Sequence, residues 1–410
     1  MRIPACSRFP IAIVLGMGAA LAHAQTPYVR PVYEYPASPT GSGLPAALQI
    51  PDTPFFISPY LGLAAGYDDN LFFSHANEKS STLYIFSPGF KVDARTAGKV
   101  LQLNYQGQAA EYGQSPKDNY VDHNFHGQLD MALDHRNFLK LGLDWIKGHD
   151  PRGSTDRPIG EYPDRYEVTS PFATYAFGAP GAKGRIELYA GEAMRRYLNN
   201  RDVTVGSDRD TREYGGAFYW RAMPRTYLMA EARETEIDYR ISDSPLSADE
   251  TRYYVGVTWE ATAATTGTVK YGRLQRDFKL ASLQDFSGPS WEASITWLPR
   301  TYSKFDFYSA RQTNESTGLG DFIVTTVAGV AWNHAWSSYL SSVVDLRYQK
   351  DQYHGFDRKD EIKTLGVKMG YRLRRWLTLG AEYTFIQRDS NVPQFDYNKN
   401  VYLLTATASM

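Results

Sequence analysis

The chain has 410 residues, with 44 basic and 45 acidic side chains, a formal charge of −1 and one cysteine. That balance gives no electrostatic footprint for nucleic acid. A mean hydropathy of −0.45, with no apolar run of about 20 residues, excludes a helical membrane protein. A β-barrel stays open, because only every second strand residue faces lipid, and the 30 tyrosines and 8 tryptophans suit its interfacial girdles.

Residues 1–24 read as a secretion signal. Arg2 and Arg8 precede an apolar run from Ile11 to Ala22, and Ala22-His23-Ala24 is an A-x-A cleavage site before Gln25. Cys6 lies inside the signal, so the mature chain has no disulfide and no thiol chemistry. Losing Arg2 and Arg8 takes 44 basic residues to 42 against 45 acidic ones, a charge of −3. Residues 25–54 follow as a tail without strands, carrying Pro27, Pro31, Pro36, Pro39, Pro45, Pro51 and Pro54 and the flexible Thr40-Gly41-Ser42-Gly43. Proline at that density favours an extended, unpaired chain, in which Tyr28, Tyr33 and Tyr35 could meet a periplasmic partner.

Residues 55–410 repeat one unit: alternating strand, clipped turn, alternating strand, long polar loop. Leu101, Leu103 and Tyr105 alternate with Gln102, Asn104 and Gln106, and Leu139, Leu141, Leu143 and Trp145 with Lys140, Gly142 and Asp144. Eighteen strands are expected, near 55–66, 82–93, 98–112, 121–133, 137–147, 165–177, 184–197, 211–222, 225–238, 250–261, 265–278, 288–298, 301–313, 321–334, 338–350, 361–373, 375–388 and 397–410. Short turns follow even strands and long loops, such as Gly148 to Asp164, follow odd ones. The fold class is therefore all-β: a transmembrane antiparallel up-and-down barrel, with turns and both termini periplasmic and loops extracellular. Pro59, Pro88 and Pro171 interrupt proposed strands, and 321–334 is apolar on both faces, so sixteen strands is the alternative. The last strand keeps an apolar face to Met410, where such barrels usually end in Phe for the assembly machinery.

The other parity faces the lumen. It contributes Asn104 and Gln106, then Asn124, His126, Gln128 and Asp130, then Lys140 and Asp144. Further round come Tyr219 and Arg221, Tyr227, Glu231 and Arg233, and Arg252, Tyr254 and Glu260. Lys304, Asp306 and Tyr308 follow, then Lys368 and Arg372, and finally Glu382. One reading pairs these charges across strands to hold the wall. The other is a hydrated channel, which sixteen to eighteen strands allow, with Tyr219, Tyr227, Tyr254 and Tyr308 stacking on sugar faces. Gly256 and Gly366 are inward positions where a bulky residue would narrow it.

No catalytic, cofactor or metal site is assigned. His123 and His126, three apart on a strand, point to opposite faces. Asp68-Asp69 reads as a solvated rim, and His149-Asp150, in a loop, is the nearest candidate for acid–base chemistry. No Gly-x-Ser-x-Gly turn and no phosphate-cradling glycine loop stands in the chain.

Gly66-Tyr67-Asp68-Asp69-Asn70-Leu71-Phe72 and Ser87-Pro88-Gly89-Phe90 resemble the opening of the β-barrel porin family of exopolysaccharide biosynthesis and export operons. Asp118-Asn119-Tyr120-Val121-Asp122-His123 and His149-Asp150-Pro151-Arg152-Gly153 are similar to later stretches of that family. The resemblance implies an outer-membrane barrel that assists exopolysaccharide export. Its partners would be outer-membrane lipid and lipopolysaccharide, the assembly machinery, the polysaccharide and periplasmic export proteins. An uptake porin for small polar solutes is the alternative, favoured if a long loop folds inward to constrict the lumen. A barrel enzyme or structural surface protein is the third.

Overall fold

The computed structural model describes residues 47–260 and 264–409. The signal at 1–24, most of the proline-rich tail and Met410 lie outside the described residues. Eighteen long strands run in order: β1 Phe55–Asp68, β2 Ser81–Thr96, β3 Lys99–Tyr112, β4 Tyr120–Ala132, β5 Asn137–Asp150 and β6 Asp164–Phe177. Then come β7 Gly184–Tyr197, β8 Arg209–Met223, β9 Thr226–Tyr239, β10 Ala248–Trp259, β11 Thr265–Phe278 and β12 Phe286–Arg300. The ring is completed by β13 Ser303–Glu315, β14 Phe322–Ala335, β15 Leu340–His354, β16 Lys359–Arg374, β17 Leu377–Ser390 and β18 Tyr397–Ser409.

Each strand pairs antiparallel with its chain neighbour, and β18 returns to β1, from Val401 opposite Asp68 to Ser409 opposite Tyr60. Closure pairs each of the eighteen strands on both sides along most of its length, as a barrel in lipid requires. The tail is not wholly unpaired: Leu48 and Gln49 form a short bridge to Ile57 and Phe56 of β1.

The alternation read from the sequence survives in three dimensions. Leu103 lies opposite Gly127 on one face, while Asn104 lies opposite His126 on the other. Val255 and Leu404 are 67% and 71% exposed on the outer wall, a cost in water and a gain against acyl chains. Outside, Trp297, Phe305 and Trp332 stack at 5.3 and 5.9 Å near the turn end, as an interfacial aromatic girdle does. His123 faces out between the Tyr105 hydroxyl, 2.9 Å away, and the Trp145 ring. His126 faces in.

The prolines are absorbed locally. Pairing of β2 with β3 skips from Phe86 opposite Ala109 to Gly89 opposite Gln106, bypassing Pro88. Between β6 and β7 it skips from Thr169 opposite Met194 to Phe172 opposite Gly191, bypassing Pro171. Pro59 lies one residue beyond the last pair with β18, at Tyr60. A missing donor costs a ladder bond without costing the strand.

The face assignment carries a test. Leu141→Arg, on the outer wall, is expected to destabilise the barrel by about 2–4 kcal/mol, the range for an arginine near the bilayer midplane. Asn104→Arg, on the inner wall, should fold nearly normally. Equal loss of the heat-shifted folded band on gels for the two variants would invert the assignment.

Candidate functional site: the lumen and its covered mouth

The inner wall is not uniformly wet. On β4 and β5, His126 Nδ1 lies 2.6 Å from Asp144 Oδ1, with side chains 37% and 36% exposed. Lys140 sits 3.6 Å from Asp130, and Asn104 and Gln106 stand beside them on β3. Across the ring, Lys304 pairs with Asp306 at 2.7 Å and Lys368 with Glu382 at 2.8 Å. Arg372 faces in at the turn end, opposite Thr378.

The β9 to β12 wall differs. Glu231, Arg233, Lys270 and Glu292 form a closed quartet. Arg233 donates to Glu231 at 2.6 Å and to Glu292 at 2.9 Å, while Lys270 reaches Glu231 at 2.7 Å and Glu292 at 2.9 Å. All four are under 8% exposed. Arg252 is likewise buried and pairs with Glu250. These residues face inward, but they hold the wall together and line no water path. Tyr254 is buried beneath Arg233 and Lys270, its hydroxyl 2.7 Å from Ser290, so it offers no stacking face. Tyr219 donates to Glu187 at 3.1 Å and Tyr308 lies against Gly329. Arg221 and Tyr227 are half-buried opposite one another. Glu260 lies one residue past β10, exposed at the turn end. A Cβ on Gly256 would fall 2.5 Å from Val269 O, whereas one on Gly366 meets nothing nearer than 3.7 Å. Only Gly366 can take a bulky side chain without moving the sheet.

The loop end is covered by two elements that fold inward. The first is the segment 151–163 between β5 and β6. It starts with a tight turn: Ser154 donates to Pro151 O at 2.7 Å, and Gly153 takes φ +81 where a Cβ would sit 1.9 Å from Phe72 O, so only glycine fits. Arg152 donates to Asp118 at 2.7 Å and covers the Phe72 ring at 4.5 Å. Those bonds to Asp118 hold its guanidinium above its ordinary value. Asp156 then reaches Arg358 at 2.7 Å and the Tyr353 hydroxyl at 3.1 Å. Both stand at the loop end of β15 and β16, ten strands further round the eighteen-strand ring. Burial alone would depress Arg358, but its bonds to Asp360 and the charge of Asp156 hold it above its ordinary value. It stays a cation beneath the loop. Arg157 returns the chain to its own side through Asp150 at 3.0 Å and Asp164 at 2.8 Å. The segment therefore crosses the lumen, pinned at both sides by buried ion pairs.

The second element is the loop end of β13 and β14. Pairing of β12 with β13 stops at Trp291 opposite Arg311, while β13 and β14 pair on to Glu315 opposite Phe322. Released from β12, the hairpin leans onto the inner wall. Thr313 bonds to Glu250, and Glu315 takes Arg276 at 2.7 Å and the Tyr239 hydroxyl at 2.6 Å. Phe322 packs on Phe286 at 5.3 Å and His354 at 4.4 Å. Phe322, Ile323, Val324 and Thr325 are all at most 3% exposed. That is the physical reason the loop half of this stretch, Phe322 to Thr325, is apolar on both faces: there both faces are covered, whereas Ala328 to His334 are exposed or half-exposed.

The sequence motifs meet at this mouth. His149 Nδ1 lies 3.0 Å from Asp122 and its ring 4.0 Å from Tyr120, while Asp150 turns to Arg157 and to the Tyr197 hydroxyl at 2.7 Å. The pair is therefore split between two structural networks. Asp68 and Asp69 are not a solvated rim. Asp68 is 1% exposed and pairs with Lys399 at 2.7 Å. Asp69 accepts from the Asn400 backbone at 2.6 Å and from its side chain at 2.7 Å. Both stitch the first strand to the last. Among the described residues no group of three or more His, Cys, Asp or Glu could hold a metal.

Beneath segment 151–163 a cavity of about 90 Å³ remains against β15 to β18, bounded by Ser154, Asp156, Thr317, Arg347, Arg388 and Tyr397. None of these six was singled out from the sequence. Arg347 shares inward parity with Asp345 and Gln349, a signal that alternation carries; Asp156 and Thr317 lie in loops, where no periodicity speaks.

A closed barrel with an apolar outer wall, a polar and ionic inner wall and loops drawn into one mouth defines a porin-like channel of the outer membrane. The chain belongs to the family described as "Putative beta-barrel porin 2", which matches residues 53–410. Among solved structures, it is similar to the FrpB iron transporter from Neisseria meningitidis (10% identity, TM-score 0.43, 90% of this chain and 83% of that one). It is similar also to OccK2 (OpdF) from Pseudomonas aeruginosa (10%, 0.48, 86% and 98%) and to OccAB4 from Acinetobacter baumannii (9%, 0.45, 86% and 98%). These likenesses are of fold alone. A search among curated proteins returns no match.

Proposed function

We propose that the protein is a passive outer-membrane channel for small polar solutes, with its loops outside and both chain ends in the periplasm. One observation carries this reading: segment 151–163 crosses the lumen and is tied to the far wall through Asp156 and Arg358. A lumen narrowed by a pinned loop suits solutes of one or two rings better than a continuous polymer. The half-exposed His126, Asp144, Asp130 and Asp306 supply a wet path along the rest of the wall. Alternating short turns and long loops support the orientation.

Exopolysaccharide release is the second reading, supported by the four motifs that resemble the porins of exopolysaccharide operons. It requires the segment to leave the lumen. Deletion of the gene separates the two. The channel reading expects slowed influx of a small solute with normal secreted polymer, and purified protein that makes liposomes permeable to small sugars. Lost polymer secretion with unchanged solute influx would transfer the function to export.

A further inference from the structure

The cavity under the crossing segment holds two guanidinium groups that form no carboxylate ion pair among the described residues, although Asp345 and Asp351 lie within electrostatic reach of Arg347. Arg347 on β15 makes one hydrogen bond, to the neutral amide oxygen of Gln349, and its Nε is buried without a partner among the described residues. Arg388 on β17 donates Nε to the Phe395 carbonyl at 2.6 Å and lies 4.5 Å over the Tyr397 ring. Neither is ion-paired with a carboxylate among the described residues. The carboxylates of the same cavity are already occupied. Asp156 is held by Arg358 and Tyr353, and Asp360 by Arg358 at 2.6 Å. Asp351 accepts from Thr325 at 2.6 Å and Gln349 at 2.7 Å.

Register places the two arginines usefully. Arg347 lies opposite Thr364 and Gln349 opposite Ile362; Ile362 in turn lies opposite Arg388, and Thr364 opposite Ile386. The arginines thus stand two strands apart, roughly 10 Å between strand axes, across a floor of Ile362, Thr364 and Ile386. Phe73 and Tyr397 close one side. A floor of apolar carbon between two forked cations is complementary to a short carbon skeleton ending in a carboxylate, since guanidinium binds carboxylate through paired, charge-assisted hydrogen bonds.

We infer that this cavity is a binding site for small hydroxy-acids, with the carboxylate taken by Arg347 and Arg388 and the carbon chain laid over Ile362 and Ile386. The inference rests on the channel reading for its physiological use but not for its chemistry. Calorimetry on the detergent-solubilised full chain compares gluconate with glucitol, which replaces the carboxylate by a hydroxymethyl group. Gluconate should bind at least about tenfold more tightly, and Arg347→Gln or Arg388→Gln should each weaken it about tenfold or more, the size of one lost charge-assisted bond. Equal affinity for the two ligands overturns the site, and so does wild-type gluconate affinity in a folded Gln variant. If the variants do not fold, the gluconate and glucitol comparison on the unmodified protein decides alone. Planar-bilayer conductance is read in parallel. Binding without conductance keeps the site and removes the channel; conductance with no preference for gluconate does the reverse.

Discussion

Replacing residues 152–162 with a short Gly-Ser linker is expected to raise single-channel conductance several-fold while leaving the barrel folded. The segment adds no rung to any strand ladder, because β5 ends at Asp150 and β6 starts at Asp164. Its removal therefore costs the wall no ladder bond, and the Asp118 and Asp150 carboxylates that lose Arg152 and Arg157 are opened to water by the same deletion. What it contributes is obstruction, held by Arg157 with Asp150, 4% exposed on each side, and by Arg358 with Asp156, 0% and 5% exposed. Arg358→Ala tests the same element more gently. Taking one partner from a buried pair strands the other charge, at about 3–5 kcal/mol. A shift of that size is enough to move a loop from nearly always seated to substantially released. Arg358→Ala channels should then flicker between two conductance levels, the upper matching the linker variant. Conductance unchanged in both variants, with a normal heat-shifted band, would mean that the water path bypasses the segment.

Lys399→Met is expected to lower barrel stability by about 3–5 kcal/mol, because Asp68 would be left charged and buried at the seam. The pair is 0% and 1% exposed. Lys399 also donates to Asn70 O at 2.7 Å and stands 4.1 Å over the Phe73 ring, so one side chain ties β18, β1 and the loop after β1 together. The seam is where a barrel opens, since among the described strands it is the junction formed by strands far apart in the chain, and it must pay the full loop-closure entropy. Asp68→Asn in the same molecule should recover most of the loss, as the double-mutant cycle of a true pair does. Urea titration followed by the gel shift measures both. Additive losses in the double variant would show that Lys399 acts through Asn70 and Phe73 instead of Asp68.

Much of this architecture was legible because a period of two is a local property. Leu103 against Asn104, or Leu141 against Lys140, needs no knowledge of a partner strand, and the alternation of short and long connections orders eighteen strands into an up-and-down ring. Even the prolines could be located, although only the register shows that Pro88 and Pro171 each drop out of one ladder and keep the other. The wall charges were legible as inward but not as wet or dry. Glu231 and Arg233 share the parity of Tyr227, yet the quartet with Lys270 and Glu292 draws on three strands, and parity says nothing about which long side chains meet.

The sequence by itself determined the class: a chain of alternating strands that must close in lipid, with carboxylates gathered in its motifs. Only the tertiary structure decided what those residues do. Asp68 and Asp69 became a seam because closure brings residue 68 beside residue 401, and Asp156 became a bar across the mouth because curvature brings β5 to face β15. Contacts of that kind depend on distance through the lumen, and distance through a lumen leaves no period in a linear chain.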